Sequence, residues 1–367
     1  MNFLTKNKTK ESYVEKIAND PIGTQRNKLY SIRNLERFVE SKHHEALDDI
    51  INQLLALSTD ERQTALYDIL QDWINWNYAR RVNNSTTRAM FSFLRRYLYY
   101  RGMKTDPQDI KENLRFGKKR DEERYPLSKK EYQEILNYFS RNPKRQALYL
   151  VLGSSGMRIG EALRLRKKDL DFARTRVKVN IHADITKTKA GRTTYISKEA
   201  EEKLRPILEK LKPNDLIFKF AHTNNRFHAT IAESSVLGHA VDKLGFGSKY
   251  ESNKRRKITS HSFRSYFFTA AVRKHGENYA HRLTGHGGYL TQYDRMTEDE
   301  KLKMYLELEP DLLVFDQTKN ELEIKQLKEK NEILSDLEKE IKKLRETQAN
   351  QDKIIVDLLR KNGVLPK

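Results

Sequence analysis

Residues 155–165 read SGMRIGEALRL, and this stretch places a basic side chain where an apolar helix is expected to begin. Glu161 follows Arg158 by three positions, so both side chains lie on one helical turn and the carboxylate can orient the guanidinium. A lone arginine is usually a surface residue, but Arg-x-Gly-Glu at an apolar helix start is more specific. The stretch therefore indicates a cationic functional site.

Three further segments follow in the same region. Residues 186–197 read TKTKAGRTTYIS, residues 261–269 read HSFRSYFFT, and residues 283–295 read LTGHGGYLTQYDR. Taken singly they are weak signals, since His261 and Arg264 could simply cap and pair at the start of a helix. All four segments in this order, on one strongly basic chain, form a far stronger signal.

In this order the four segments resemble the tyrosine recombinase (phage-type integrase) family. The resemblance covers about 126–315 by motif, and residues 27–102 loosely resemble the family's core-binding domain. It implies a mainly α fold, in which a helical core-binding domain and an α-rich catalytic domain with a small antiparallel sheet close around duplex DNA. It also implies a tetramer on specific attachment sites that integrates or excises a mobile element.

The resemblance also implies a role for each site residue. Arg158 and Arg264 would clamp the phosphate, His261 would assist proton transfer, Lys189 would be the general acid to the 5′ oxygen, His286 would hydrogen-bond the phosphate, and Tyr293 would be the nucleophile. The chemistry suits these residue types, because arginine forks can neutralise two non-bridging oxygens and a tyrosine ester stores the energy of the broken bond. No cofactor or metal is expected, since the arginines supply the charge.

Two of these assignments have competitors. Lys187 lies two residues from Lys189 and would share its face on a continuous strand. Most relatives place the tyrosine about nine residues after the last histidine, whereas Tyr293 follows His286 by seven and Tyr289 by three. The intervening glycine pair is flexible enough to absorb a deletion, which favours Tyr293. With 18 tyrosines in the chain, either could be structural.

Charge and composition restrict the partners. The net charge is +20, and because residues 316–367 hold 12 basic and 11 acidic side chains, residues 1–315 carry +19. Such an excess favours a nucleic acid partner, although a merely lysine-rich soluble protein would look similar. The chain has no cysteine, which excludes disulfides and thiol chemistry. No apolar run is long enough for a membrane span or signal peptide, so a cytoplasmic protein is expected. The resemblance to tyrosine recombinases further implies association with the nucleoid and a prokaryotic or viral origin.

Five regions are expected along the chain. They are a flexible arm at 1–25, a helical core-binding domain at 26–104, a basic linker at 105–125, the catalytic domain at 126–315 and a coiled coil at 316–361. Ser85 is a candidate N-cap for a helix ending at Gly102, and Pro107 is expected to break any helix in the linker. Ser128 with Glu131 forms a capping-box pattern, and the alternating residues 176–181 and 192–197 predict antiparallel strands.

Basic side chains at three places are candidates for phosphate contacts. They are Arg88, Arg95 and Arg96 in an aromatic-rich helix, Lys118, Lys119 and Arg120 in the linker, and Lys254, Arg255, Arg256 and Lys257 before His261. The helix also carries Arg101 and holds no acidic residue. A solvated basic face or loop would have the same sequence.

The C-terminal region shows a seven-residue repeat. Its two seams hold Leu327, Leu334, Ile341, Gln348 and Ile355, and Leu337, Leu344, Gln351 and Leu358. This spacing predicts a coiled coil that joins protomers or recruits a protein partner, whereas a single solvated helix would lack such regularity.

Three other functions fit parts of the pattern. Resolution of replicon dimers, or transposition, would use the same chemistry on other DNA sites. A type IB topoisomerase-like enzyme would share the active site, but the separate helical N-terminal region argues against it. A non-catalytic DNA-binding protein would not need the full set of basic residues and tyrosine.

Overall fold

The computed structural model describes residues 8–118, 122–186, 189–220, 225–285 and 295–316, together with some positions between 320 and 348. The chain divides into two compact units. One comprises residues 1–123 with 250–254, and the other comprises residues 124–249 with 255–367. The fold is mainly α with one small antiparallel sheet, as the sequence predicted.

The first unit is a bundle of helices around an apolar core. Its helices are α1 (Lys10–Lys16), α2 (Ile22–His43), α3 (Leu47–Ala56), α4 (Thr59–Ala79), α5 (Asn84–Tyr100) and α6 (Pro107–Asn113). Phe38, Trp73 and Leu94 are fully buried at the centre. The Trp73 indole donates to Asn34 at 2.7 Å, and the Asn34 and Asn77 side chains bond each other, so these three buried polar side chains are paired.

Residues 10–16 form a helix, within the segment 1–25 whose polar composition had suggested a flexible arm. Thr9 caps α1 in a capping box with Ser12. Tyr13 and Ile17, four residues apart, are buried against the bundle, and the Tyr13 ring lies edge-on to Tyr97 at 5.2 Å. Two apolar side chains on one face are enough to pack so short a helix against the bundle. Their spacing of four residues is hard to recognise in the sequence because the neighbouring residues are polar.

Two further local details differ from the sequence prediction. Helix α5 is capped by Asn83, whose side chain accepts from the Thr86 amide, and not by Ser85. Pro107 occupies the first turn of α6, directly after the capping residue Asp106. Proline has no backbone N–H, but the first amides of a helix have no acceptor within the helix, so proline is tolerated at this position. Leu114, just beyond α6, is buried in the core of the first unit, so this part of the expected linker is packed.

The second unit surrounds helix α8. Its helices are α7 (Lys129–Tyr138), α8 (Pro143–Ser155), α9 (Ile159–Ala162), α10 (Lys198–Leu208), α11 (Arg226–Lys243), α12 (Ser260–Thr284, with a break at Gly276) and α13 (Glu298–Leu312). Residues 146–155 of α8 are all buried, since α10 and α12 pack against it. The capping box of Ser128 and Glu131 begins α7, as predicted.

The sheet of the second unit has three antiparallel strands in the order β1 (Leu170–Asp171), β2 (Lys178–Ile181) and β3 (Arg192–Tyr195). Val179 pairs with Leu170 on one side and with Thr194 on the other. The alternation of the sequence thus predicted the β2–β3 hairpin, and β3 carries Arg192 towards the site described below.

The chain leaves α13 through a tightly held segment. The Glu199 carboxylate accepts the amides of Val314 (3.0 Å) and Phe315 (2.7 Å), and the Val314 side chain is buried in the core of the unit. Lys129 pairs with Asp316 at 2.7 Å. These contacts fix the start of the C-terminal region to the body of the second unit.

Beyond residue 316 the described positions, which include 337–345, are helical and exposed. The remaining residues of the predicted coiled coil, including Gln351, Ile355 and Leu358, lie outside the described residues, and the coiled coil stays a prediction. Across the part of the chain that is described, no helix combines the length and apolar character needed to cross a membrane.

Candidate active site

Arg158 lies at the junction between α8 and α9. Gly156 ends α8 in a left-handed conformation (φ 66°), and Arg158 then occupies the N-cap of α9. The Arg158 amide donates to Glu161 Oε2 at 2.9 Å, and its guanidinium Nη1 donates to Glu161 Oε1 at 2.9 Å. Glu161 is only 2% exposed, so a buried carboxylate orients a partly exposed arginine.

A second arginine binds the same carboxylate. Arg192 of β3 donates from Nη2 to Glu161 Oε2 (2.6 Å) and from Nη1 to Oε1 (3.2 Å). Its Nε donates to the carbonyl of Leu283, near the end of α12 (2.8 Å). Sequence reasoning missed Arg192. The segment that contains it was quoted for its lysines, and nothing local shows that β3 faces Glu161.

Arg264 lies one turn into α12 and is 1% exposed. Its Nη1 donates to the carbonyl of Gly156 at 2.5 Å and its Nη2 to the carbonyl of Thr284 at 2.7 Å. Burial, Arg158 and Arg192 lower the pKa of the Arg264 guanidinium to about 9, so it remains charged at neutral pH. Two backbone carbonyls thus hold a cation beside two other cations.

His261 opens the same helix, one turn before Arg264, and solvent reaches its ring. Partial burial, followed by the charges of Arg264, Arg158 and Arg124, lowers the pKa of His261 below its ordinary value of 6.5. The imidazole is therefore neutral at physiological pH and can accept a proton.

The cluster of Arg158, Arg192 and Arg264 has one buried carboxylate, Glu161, to balance three guanidiniums. Such an arrangement attracts an anion, and the forked donors of arginine suit the oxygens of a phosphodiester. Within the described residues, no group of His, Asp and Glu side chains could hold a metal ion.

The structure describes only one of the remaining predicted catalytic residues, Lys189. Lys189 is exposed on the turn between β2 and β3, in a left-handed conformation (φ 56°). Its competitor Lys187, and also His286, Tyr289 and Tyr293, lie outside the described residues. Helix α12 ends at the C-cap Gly285, one residue before His286.

A methyl group on Gly285 would lie 2.9 Å from Arg192 Cδ, so Arg192 packs against the backbone that leads to His286. The arginine that binds Glu161 therefore also contacts the start of the segment that carries the predicted nucleophile.

Residues 126–287 match the model of the phage integrase family. This region is similar to the domains of that family. A comparison with curated proteins gave no significant match.

The fold agrees with solved recombinases. A lambda integrase dimer bound to a COC′ core site superposes with a TM-score of 0.54 and 16% identity, covering 78% of this chain and 97% of that one. The Tn1549 transposon integrase in complex with circular intermediate DNA gives 0.55 and 15%, covering 81% and 97%. A lambda integrase tetramer bound to a Holliday junction gives 0.53 and 16%, covering 78% of each chain. At these identities the likeness concerns the fold.

The arginines of the basic face predicted on α5 differ in their exposure and contacts. Arg88 and Arg96 are exposed, and Arg88 lies over the Phe116 ring at 4.5 Å. Arg95 is half-buried and donates to Thr105 at 3.1 Å. Arg101 is buried, bonded to Asp48 and to the Tyr97 hydroxyl, and has a structural role.

The basic residues before His261 also differ from one another. Lys254 and Arg255 are exposed, whereas Arg256 makes a forked ion pair with Asp242 at 2.8 and 2.5 Å. Lys257 lies over the Tyr125 ring at 5.8 Å. In the expected linker Lys118 is exposed, and Lys119 and Arg120 lie outside the described residues.

Proposed function

We propose that the chain is a site-specific DNA recombinase that cleaves and rejoins duplex DNA through a 3′-phosphotyrosine at Tyr293, and that it integrates or excises a mobile element. The observation that carries the proposal is the shared carboxylate of Glu161, which holds Arg158 beside the buried Arg264. The family match of residues 126–287 and the fold of the solved recombinases support it.

In the proposed reaction the two arginines bind the scissile phosphate. Arg158 and Arg264 donate to its two non-bridging oxygens and stabilise the charge that grows in the pentavalent transition state. Arg264 already has both terminal nitrogens directed by carbonyls, so little reorganisation is needed when the phosphate arrives. Glu161 orients Arg158 in the same way.

Proton transfer completes the step. The Tyr293 oxygen attacks phosphorus, its proton passes to the neutral imidazole of His261, and the bond to the 5′ oxygen breaks. Lys189 gives a proton to the departing 5′ oxygen, and His286 donates a hydrogen bond to the phosphate. Reversal of the step on a different 5′ hydroxyl rejoins the strand and restores the tyrosine.

The proposed partner is double-stranded DNA with specific attachment sites, bound by the basic residues of both units. The proposed assembly is a tetramer of this chain on two sites, in analogy to the lambda integrase tetramer bound to a Holliday junction. The proposed location is the cytoplasm, on the nucleoid.

Covalent trapping tests the proposal. The full chain is incubated with a pool of nicked duplexes of randomised sequence, without added metal, and DNA that stays bound in denaturant is recovered and sequenced. Wild type, Tyr293→Phe and Tyr289→Phe are compared on the recovered duplex. An adduct lost only in Tyr293→Phe is the expected result.

The other outcomes are equally informative. Loss of the adduct only in Tyr289→Phe would support the recombinase proposal but assign the nucleophile to Tyr289. Absence of any adduct on duplexes that the protein binds would refute the catalytic proposal and favour a non-catalytic DNA-binding protein. If the protein forms the adduct and relaxes supercoiled plasmid but exchanges no strands, the result would favour a topoisomerase.

A further inference from the structure

A stripe of exposed aliphatic side chains follows the helical residues of the C-terminal region. Leu334, Leu337, Ile341 and Leu344 are spaced by three, four and three residues, and each is between 49% and 63% exposed. This spacing places them on one face of the helix. A contiguous apolar stripe of this kind on a soluble protein normally marks an interaction surface.

We propose that this stripe is covered by a second copy of the same chain, in a parallel two-stranded coiled coil that forms without DNA. The four residues occupy alternating a and d positions, with Leu334 and Ile341 at a and Leu337 and Leu344 at d. A β-branched residue at a, flanked by leucine at d, favours two parallel strands. The described residues thus fit a partner helix of the same sequence.

The charges beside the stripe favour the parallel orientation. In this register Glu340 occupies position g and Arg345 the following position e, and both are exposed. In a parallel dimer, position g of one helix faces position e of the next heptad of the other helix. Glu340 of each chain then faces Arg345 of the other, which gives two attractive pairs by symmetry.

The anchoring of residues 313–316 gives the dimer a function. Since Glu199 binds the Val314 and Phe315 amides and Lys129 binds Asp316, the tail begins at a fixed point of the second unit. Two chains joined by their tails would bring two catalytic units to DNA together, which raises the effective concentration of the second unit. The dimer itself does not depend on the proposed reaction, so either can fail alone.

Cysteine cross-linking tests the register. Because the chain has no cysteine, Leu344→Cys introduces a single thiol. In a parallel in-register dimer the Cα atoms of the two substituted positions would lie within disulfide reach, which is about 4.4–6.8 Å. We expect the full chain to form a covalent dimer under mild oxidation without DNA. Lys342→Cys, two residues away and outside the stripe, is the matched control, and equal cross-linking of both variants, or none, would overturn the proposal.

Charge exchange tests the orientation. Glu340→Lys and Arg345→Glu each place two like-charged pairs in the homodimer, and we expect each to dimerise roughly tenfold more weakly than wild type by light scattering. An equimolar mixture of the two variants restores both attractive pairs in a heterodimer, so wild-type affinity should return. Monomeric wild type, or a mixture no tighter than its components, would refute the parallel dimer.

Discussion

Glu161 and Arg192 form a forked ion pair, with Nη2 to Oε2 at 2.6 Å and Nη1 to Oε1 at 3.2 Å, although 31 residues separate them. The same carboxylate binds Arg158, and the remaining Nε of Arg192 binds the Leu283 carbonyl. One arginine therefore joins the proposed phosphate clamp to the end of α12, next to the segment that carries His286 and Tyr293. Arg192 touches no proposed reacting group, so its expected role is to position those that do.

Arg192→Lys should slow formation of the covalent adduct by about 10- to 100-fold, with DNA affinity little changed. A lysine keeps the charge but cannot make the fork and the Nε bond together, and small misplacements of reacting groups are costly. Single-turnover trapping at saturating protein measures the rate, and a binding assay measures affinity.

Arg174→Lys is the matched control, because Arg174 pairs with the exposed Asp299 and should tolerate the change. Equal rates for Arg192→Lys and wild type would show that the fork has no positioning role.

Glu161→Gln should destabilise the second unit by about 3 kcal/mol at neutral pH, because it leaves the buried guanidinium of Arg192 without its counter-charge. Burial alone would raise the pKa of Glu161, but the bonds from Arg192 and Arg158 lower it below its ordinary value. A carboxyl with a depressed pKa stabilises the fold above its unfolded pKa and loses this effect as pH falls through its folded pKa.

The difference between wild type and Glu161→Gln should therefore shrink below about pH 4.5, the ordinary value of the group. Urea unfolding at several pH values measures it. A difference that does not vary with pH would mean that the ionised carboxylate is not the stabilising species.

The rate of adduct formation at subsaturating DNA should stay flat from about pH 8 to about pH 6.5 and fall only at lower pH. We expect this profile because His261 stays neutral over that range, since burial and the charges of Arg264 and Arg158 lower its pKa. The proton acceptor is lost only when the imidazole is protonated. His261→Gln should abolish this acid limb as well as reduce the rate, and His182→Gln, at an exposed site, should leave it in place.

Arg96→Gln should weaken DNA binding and reduce the slope of log K against log salt by about one, because each phosphate contact releases about one counterion. Arg101→Gln on the same helix should instead destabilise the first unit, since Arg101 is buried against Asp48 and Tyr97. Salt titrations and thermal unfolding separate the two effects. If Arg96→Gln has the same salt slope as wild type, Arg96 does not contact a DNA phosphate.

Local patterns predicted most of the secondary structure. The periodicity of apolar residues indicated the long helices, the Ser128–Glu131 pair marked the start of α7, and alternation marked the β2–β3 hairpin. The contact between Arg158 and Glu161 was also predicted, although Arg158 is the extended N-cap of α9 and Glu161 reaches back to it from the third helical position.

Long-range contacts were not predictable from such patterns. Arg96 and Arg101 have similar neighbours in sequence, and only the position of Asp48 on another helix makes one of them structural. Arg192 likewise gains its partner from the packing of β3 beside α9. Burial of Tyr13 depends on a tertiary groove that its own polar segment does not reveal.

The attachment of the tail has a consequence for how such proteins diversify. Glu199 accepts hydrogen bonds from the Val314 and Phe315 amides, shortly after the end of α13. Every residue except proline has such an amide. Val314 is also buried in the core and Asp316 pairs with Lys129, so the attachment depends on residues up to 316 and not on those that follow. A gene fusion after residue 316 would exchange the tail without changing these contacts, so the proposed assembly and the proposed chemistry could evolve separately.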